Sequence, residues 1–279
     1  MNQIYSIAVL LTCHNRRNKT VECLKYLYKC NQPENYILEV FLVDDGSTDG
    51  TSEEVKKKFP YVNIIQGDGN LYWNRGMIIA WKTAVNTKDY DFYLWLNDDT
   101  ILLDNALNLM IQYSESTNNK RILVGATRSK FKDIVTYSGF KFPEKRLTPN
   151  GTWQDCDFFN GNIVLIPSYV YHYIGLLDKQ FRHSFGDIDY GMRASKLGFI
   201  HSLSPDYLGI CEHHDTEPSW RNRSVPIFKR IKDLYSPLGH SPIEAFIFEK
   251  RHCGVFLAVI RYFSIHLRAI SPQLWKAQD

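Results

Sequence analysis

An α/β fold is predicted for this 279-residue chain: a mainly parallel, mixed, Rossmann-like sheet flanked by helices, followed by a C-terminal helical extension. Short apolar runs alternate with helical patterns through residues 1–115, the order that builds a parallel sheet from crossover units. Two of those runs end in paired aspartates, Asp44-Asp45 and Asp98-Asp99, at the sheet edge where open α/β folds place ligands. Beyond residue 214 the composition changes: ten Lys/Arg stand against six Asp/Glu, whereas residues 1–214 hold 23 against 24.

The elements follow in order. Apolar runs at residues 6–11 and 39–43 read as strands, separated by a helical stretch at 19–28. Residues 44–50 (Asp-Asp-Gly-Ser-Thr-Asp-Gly) are turn chemistry, and Thr51 with Glu54 is expected to form a capping box opening a helix that runs to Phe59. A third strand at 62–66 leads through the Gly67-Asp68-Gly69-Asn70 loop to a helix near 75–85. Phe92–Leu96 is the fourth strand, and Asp104 is expected to cap a helix ending near Ser114. From Ile122 the strands shorten: residues 134–142 suggest one hairpin arm and 161–166 another strand, before helices at 168–174 and 187–197. Residues 218–242 read as a proline-rich, basic connection, and 243–267 as one or two amphipathic helices.

Forty-four per cent hydrophobic and 14% aromatic residues support a packed core and argue against disorder. Six cysteines without a C-x-x-C pair suit reduced thiols, and the N-terminus lacks a basic leader, so a cytoplasmic chain is expected. No apolar run is long enough to span a bilayer. A net charge of +3, with its excess in one segment, gives no support to nucleic-acid binding.

Adjacent carboxylates are unfavourable unless a cation or hydrogen-bond donors stabilise them, so Asn97-Asp98-Asp99 suggests a divalent metal holding a phosphorylated ligand. Asp44 and Asp45 should face the same rim, where a carboxylate accepts from a uracil N3–H; helix or turn capping is the alternative for each. Near 187, Asp189 and Arg193 are spaced to pair along a helix, which leaves Asp187 the freer carboxylate, itself a candidate for capping.

Thr12-Cys13-His14-Asn15-Arg16, Val43 to Asp49, Asn97-Asp98-Asp99 and Gly186-Asp187-Ile188-Asp189 together resemble glycosyltransferase family 2, with the GT-A fold, over roughly residues 4–215. The resemblance implies a catalytic domain at 1–215, with a nucleotide-sugar half (1–115) and an acceptor half (116–215), and an extension at 216–279. By that similarity Thr12 and Asp45 contact the donor's base, and Asn15, Arg16, Asp44, Asn74, Arg75, Asn97 and Asp98 complete the donor site. Asp98 and Asp99 hold Mg²⁺ or Mn²⁺, joined by His213 or His214; His14 and His183 have weaker claims. Asp187 becomes the general base, although Gly186 replaces the family's usual Glu; Gly161, Asn162 and Asp189 face the acceptor. Trp73 either stacks on a sugar or packs in its helix.

The implied activity is inverting, metal-dependent transfer from a UDP- or dTDP-sugar to a hydroxyl of a glycan or lipid-linked glycan, as in rhamnosyltransferase-like enzymes of bacterial surface polysaccharides. Two alternatives are a sugar-1-phosphate nucleotidyltransferase, which usually carries a Gly-rich loop that Thr12 to Arg17 lacks, and a non-catalytic sugar-nucleotide binder. The basic, aromatic C-terminal segment suits peripheral attachment to the inner face of the plasma membrane; packing on the catalytic domain or in a homodimer is the alternative.

Overall fold

The computed structural model describes residues 4–30, 36–132, 134–213 and 217–275. Its first half is a run of crossover units: β1 (Tyr5–Cys13), α1 (Arg17–Lys29), β2 (Tyr36–Asp44), α2 (Thr51–Lys58), β3 (Asn63–Gln66), α3 (Tyr72–Thr87) and β4 (Phe92–Leu96). β5 (Ile101–Leu102), α4 (Ala106–Ser116), β6 (Ile122–Arg128), β7 (Val135–Tyr137), β8 (Gly139–Lys141), β9 (Lys145–Arg146), β10 (Gln154–Cys156) and β11 (Phe158–Phe159) follow. β12 (Ile163–Pro167), α5 (Ser168–Ile174), α6 (Gly186–Lys196), β13 (His201–Ile210), α7 (Ile227–Tyr235), α8 (Pro242–His252) and α9 (Val255–Ile270) complete the order.

The main sheet runs β10-β13-β6-β12-β4-β1-β2-β3. β3, β2, β1 and β4 are mutually parallel, while β12 inserts antiparallel between β4 and β6, so the sheet is mixed as expected. Every residue of β4 is buried, as its unbroken apolar sequence requires of a strand covered on both faces. On one face Ile7, Val9, Leu94 and Leu11 pack against Leu24, Leu27, Leu107 and Met110 of α1 and α4. On the other, Trp81 of α3 meets Tyr93, Trp95, Tyr171 and Tyr190 with ring centroids 5.4–5.6 Å apart. A third, small core of Leu234, Ala245, Ile265 and Ala269 joins α7, α8 and α9.

Four local expectations are corrected. Thr51 makes no capping box, because the helix starts after Gly50 and Thr51 donates its hydroxyl to Asp49. Asp104 does not cap α4, which follows Asn105 in the left-handed region. Residues 134–142 are two strands rather than one arm: β7 pairs with β6, while β8 joins a small separate sheet with β9 and β11. The 218–242 connection contains α7, whose amphipathic run Ile227, Ile231 and Leu234 was hidden by flanking prolines.

Candidate functional site

The register of the sheet assembles the rim. Cys13 lies opposite Asp44 across β1 and β2, and Leu10 opposite Trp95 across β1 and β4, so the three strand ends and their loops share one edge. β12 runs the other way: Ile163 faces Leu96, and the Asn97 N–H donates to the carbonyl of Asn162 at 3.0 Å. An antiparallel strand thereby delivers the start of β12, Gly161 and Asn162, to the end of β4.

Asp98 and Asp99 are bridged by one guanidinium. Arg16 Nη1 lies 3.0 Å from an oxygen of each, Lys19 adds an ammonium 3.7 Å from Asp99, and Thr20 donates to Asp98 at 3.3 Å. Arg16 precedes α1, and Lys19 and Thr20 lie in its first turn, so one helix start supplies all three groups. Asp98 is 4% exposed, and burial, opposed by Arg16, pushes its carboxyl up to about 7. The Cys211 thiol donates to Asp99 at 3.5 Å and is itself raised to about 12 by burial.

Two carboxylates on adjacent residues fit a hard cation that takes its remaining ligands from water and diphosphate. Among the described residues no group of three or more His, Cys, Asp or Glu side chains converges to hold a metal unaided. His213 is exposed and stacks on Tyr137 at 5.0 Å; His214 lies outside the described residues.

Other expected donor residues organise loops. Asp45 is 3% exposed and accepts from the main-chain N–H groups of Gly69, Leu71 and Tyr72, all at 2.8–2.9 Å, so its carboxylate wraps the loop entering α3. Asp44 accepts from Ser47 N–H at 2.9 Å and from the Ser52 hydroxyl. Both therefore do the turn and capping work that stood as the alternative to ligand binding. Asn15 cross-ties the loops, accepting from Thr48 N–H at 2.8 Å while its own N–H donates to Ser47. His14 contacts the carbonyl of Asp45. Thr12 packs on α3 at Gly76, where a Cβ would stand 2.2 Å from its hydroxyl.

Asn74 has a structural role. It is fully buried and its amide nitrogen donates to the carbonyls of Asp178 and Phe181 at 2.8 Å each, strapping α3 to the loop before α6. Arg75 donates to the carbonyl of Lys179 in the same strap. Asn97 accepts from the indole N–H of Trp73 at 2.7 Å. Trp73 is half-buried, edge-on to Trp95, and presses on Gly161, where a Cβ would come within 2.7 Å of its ring. Gly161 is thus required by Trp73.

Asp187 opens α6, as expected. Its Oδ2 accepts from Gly161 N–H and its Oδ1 from its neighbour Ile188 N–H, both at 2.9 Å, and burial raises its carboxyl pKa. The Gly161 to Asn162 to Asn97 connection links this carboxylate to the Asp98 and Asp99 pair through three consecutive main-chain steps. Gly186 has a reason of its own: a Cβ there would sit 1.9 Å from Asn74 Oδ1, so no larger residue fits beside that strap.

Asp189, expected on the acceptor side, has a fully buried carboxylate with no open face. It binds Arg193 at 2.8 Å, Arg251 at 2.6 Å and His252 at 2.9 Å. Burial opposes its ionisation, but the bonds from His252, Arg193 and Arg251 hold its pKa below the usual carboxylate value. The i, i+4 pairing was legible in the sequence; the contribution of α8 was not. Lys19, Thr20 and Cys211 were also missed, although Thr20 follows Arg16 by one helical turn and spacing alone could have flagged it.

The profile described as "Glycosyl transferase family 2" matches residues 8–173. Poly-beta-1,6-N-acetyl-D-glucosamine synthase of Staphylococcus epidermidis is 26% identical over 136 residues, 48% of this chain and 31% of that protein. The same-named protein of Staphylococcus aureus (strain MSSA476) is 24% identical over 135 residues, 48% of this chain and 32% of its own length. The matched segment therefore spans about a third of these relatives. S. aureus TarS 1-349 in complex with UDP-GlcNAc superposes with a TM-score of 0.58 at 15% identity, covering 95% of this chain and 81% of that one. Mannosyltransferase PcManGT from Pyrobaculum calidifontis, in complex with GDP-Man and Mn²⁺, gives 0.57 at 16% identity, covering 96% and 76%.

Proposed function

Because this chain belongs to glycosyl transferase family 2, with the GT-A fold expected for it, we propose that it is an inverting glycosyltransferase moving a sugar from a UDP- or dTDP-sugar to a glycan or lipid-linked glycan hydroxyl. We assign residues 1–215 to catalysis and 216–279 to an extension.

The observation that carries this reading is the pairing of β12 with β4. It brings Asp187, through Gly161 and Asn162, to the strand end bearing Asp98 and Asp99. Asp98 and Asp99 would hold Mg²⁺ or Mn²⁺, which when bound offsets negative charge developing on the leaving nucleoside diphosphate. Arg16 and Lys19, now paired with these carboxylates, are placed to turn to the diphosphate once the pair has another counter-ion. Asp187 deprotonates the acceptor hydroxyl as it attacks the anomeric carbon from the side opposite the leaving group, inverting configuration without a covalent intermediate. Its raised pKa suits it to take a proton, and its two main-chain bonds fix its direction. Trp73, held by Asn97, forms an aromatic wall between the two stations.

A panel of nucleotide sugars, with and without Mn²⁺, scored by thermal shift and by nucleoside diphosphate release, identifies the donor. Asp187→Asn is expected to keep the donor's thermal shift and lose release with acceptor by at least ~100-fold. Near-normal turnover in that variant would remove Asp187 from the mechanism. Pyrophosphate release from a nucleoside triphosphate and sugar phosphate would instead favour the nucleotidyltransferase reading, and donor binding without turnover the non-catalytic one.

A further inference from the structure

We propose that α8, in the C-terminal extension, is a working part of the transfer site: it grips the chain on both sides of Asp187, and Arg251 is its chief positioning residue. The catalytic meaning rests on the reading of Asp187 as the base; the grip itself does not.

Both donors to the Asp187 carboxylate are main-chain N–H groups, of Gly161 at the start of β12 and of Ile188 in its own helix. Its aim therefore follows the backbone of the first turn of α6. That turn starts after Phe185, which sits in the left-handed region at φ 69° and makes no side-chain cap bond. An aromatic residue holds such a conformation only where its surroundings impose it. Here they come from the extension: the Phe185 ring lies 5.3 Å from that of Phe248 on α8 and 5.4 Å from that of His240, packed against the core of α7, α8 and α9.

Two residues beyond Asp187 the grip is ionic. Arg251 spans two carboxylates with one guanidinium, Nη1 lying 2.6 Å from Asp189 and Nη2 2.6 Å from Asp178, so it ties the first turn of α6 to the loop before it. A planar fork fixes direction as well as distance, which a lysine ammonium does not. His252 Nε2 stands 2.9 Å from the same Asp189 oxygen. Further upstream, Glu244 accepts from the Arg182 N–H at 3.2 Å and from its Nε at 2.5 Å. Asn74 straps this same loop to α3 through the carbonyls of Asp178, Phe181 and Arg182, so the loop is held from one side by α3 and from the other by α8. Asp98 and Asp99, by contrast, are carried by the end of β4 and braced from the start of α1. Loosening α8 should therefore disturb attack and spare donor binding, and a displacement of ~1 Å at a reacting group is enough to cost ~100-fold in rate.

The test is amide hydrogen exchange at Gly161, read by NMR on the isotope-labelled full chain without ligand, because that N–H is bonded to the Asp187 carboxylate and reports whether it stays in place. Arg251→Met is expected to speed this exchange by at least ~10-fold relative to the amide of Leu10 in the centre of the sheet, which reads global opening. Glu249→Gln, which instead removes the bond from α8 to Arg261 of α9, is expected to leave that ratio unchanged. Arg251→Lys, a cation without the fork, should fall between the parent and Arg251→Met, and serves if the latter fails to fold. With the nucleotide sugar that the panel identifies, Arg251→Met is expected to lose at least ~10-fold in kcat with the donor KM within ~3-fold of the parent. Unchanged Gly161 exchange in a folded Arg251 variant, equal acceleration by Glu249→Gln, or full kcat in Arg251→Met each overturns the proposal. Near-normal turnover in Asp187→Asn is the separate failure of the base assignment, and it leaves the exchange result standing.

Discussion

Asp189→Ala should cost about 3 kcal/mol of folding stability, because it removes the counter-ion from a sealed charge cluster. Truncating one partner of a buried ion pair ordinarily costs about 3–5 kcal/mol, since the remaining charges lose compensation without regaining water. The structure places this case at the lower end. Arg251 retains Asp178 at 2.6 Å, and Arg193 retains the carbonyls of Ile174 and Leu176 at 3.1 and 2.9 Å, so neither guanidinium is stranded. His252 Nε2 loses the partner that lies 2.9 Å away. For a chain this long, about 2.1 cal/mol/K of unfolding entropy per residue converts about 3 kcal/mol into a fall of ~5 °C in Tm. Differential scanning calorimetry of Asp189→Ala, Arg251→Met and the double variant measures the cost and the coupling across α6 and α8. Arg251→Met should cost less, because Asp189 keeps Arg193 and His252. A Tm within ~1 °C of the parent for Asp189→Ala, or strictly additive costs, would refute the view that this cluster joins the two helices.

Two further outcomes are specific. Asp98 is raised from 3.8 to about 7, so in metal-free protein the stability it allows is complete below about pH 4 and is lost as pH rises towards 7. Asp98→Asn, which mimics the neutral acid, should therefore gain on the parent by ~2–3 kcal/mol more at about pH 8 than at about pH 5; urea midpoints in chelator check this, and a pH-independent difference would contradict it. Gly186→Ala should destabilise by ~1–3 kcal/mol, because its methyl would meet Asn74 Oδ1 at 1.9 Å; an unchanged urea midpoint would show that the strap can yield.

The parallel half of the fold was legible because its strands are buried on both faces and read as continuous apolar runs, β4 most plainly. Asp98, Asp99 and Asp187 stood out in the sequence as carboxylates at a strand end and a helix start, and the pairing of β12 with β4 links those two places. The roles of Asp45 and Asn74 were not, since each depends on main-chain groups 24 to 107 residues away whose approach no local pattern records. Asp189 shows the division within one residue: its helical partner Arg193 lies at readable spacing, while Arg251 and His252 arrive from a helix more than sixty residues on. α7 escaped because prolines on either side masked a run of nine residues.

The amide at Asn97 sets the resting charge of the rim. It receives the Trp73 indole N–H as a carboxylate would, yet adds no negative charge, leaving Asp98 and Asp99 matched by Arg16 and Lys19. A third acid at that position would add to the repulsion between Asp98 and Asp99. With asparagine the indole is held by a neutral acceptor, and no further charge stands beside the two carboxylates.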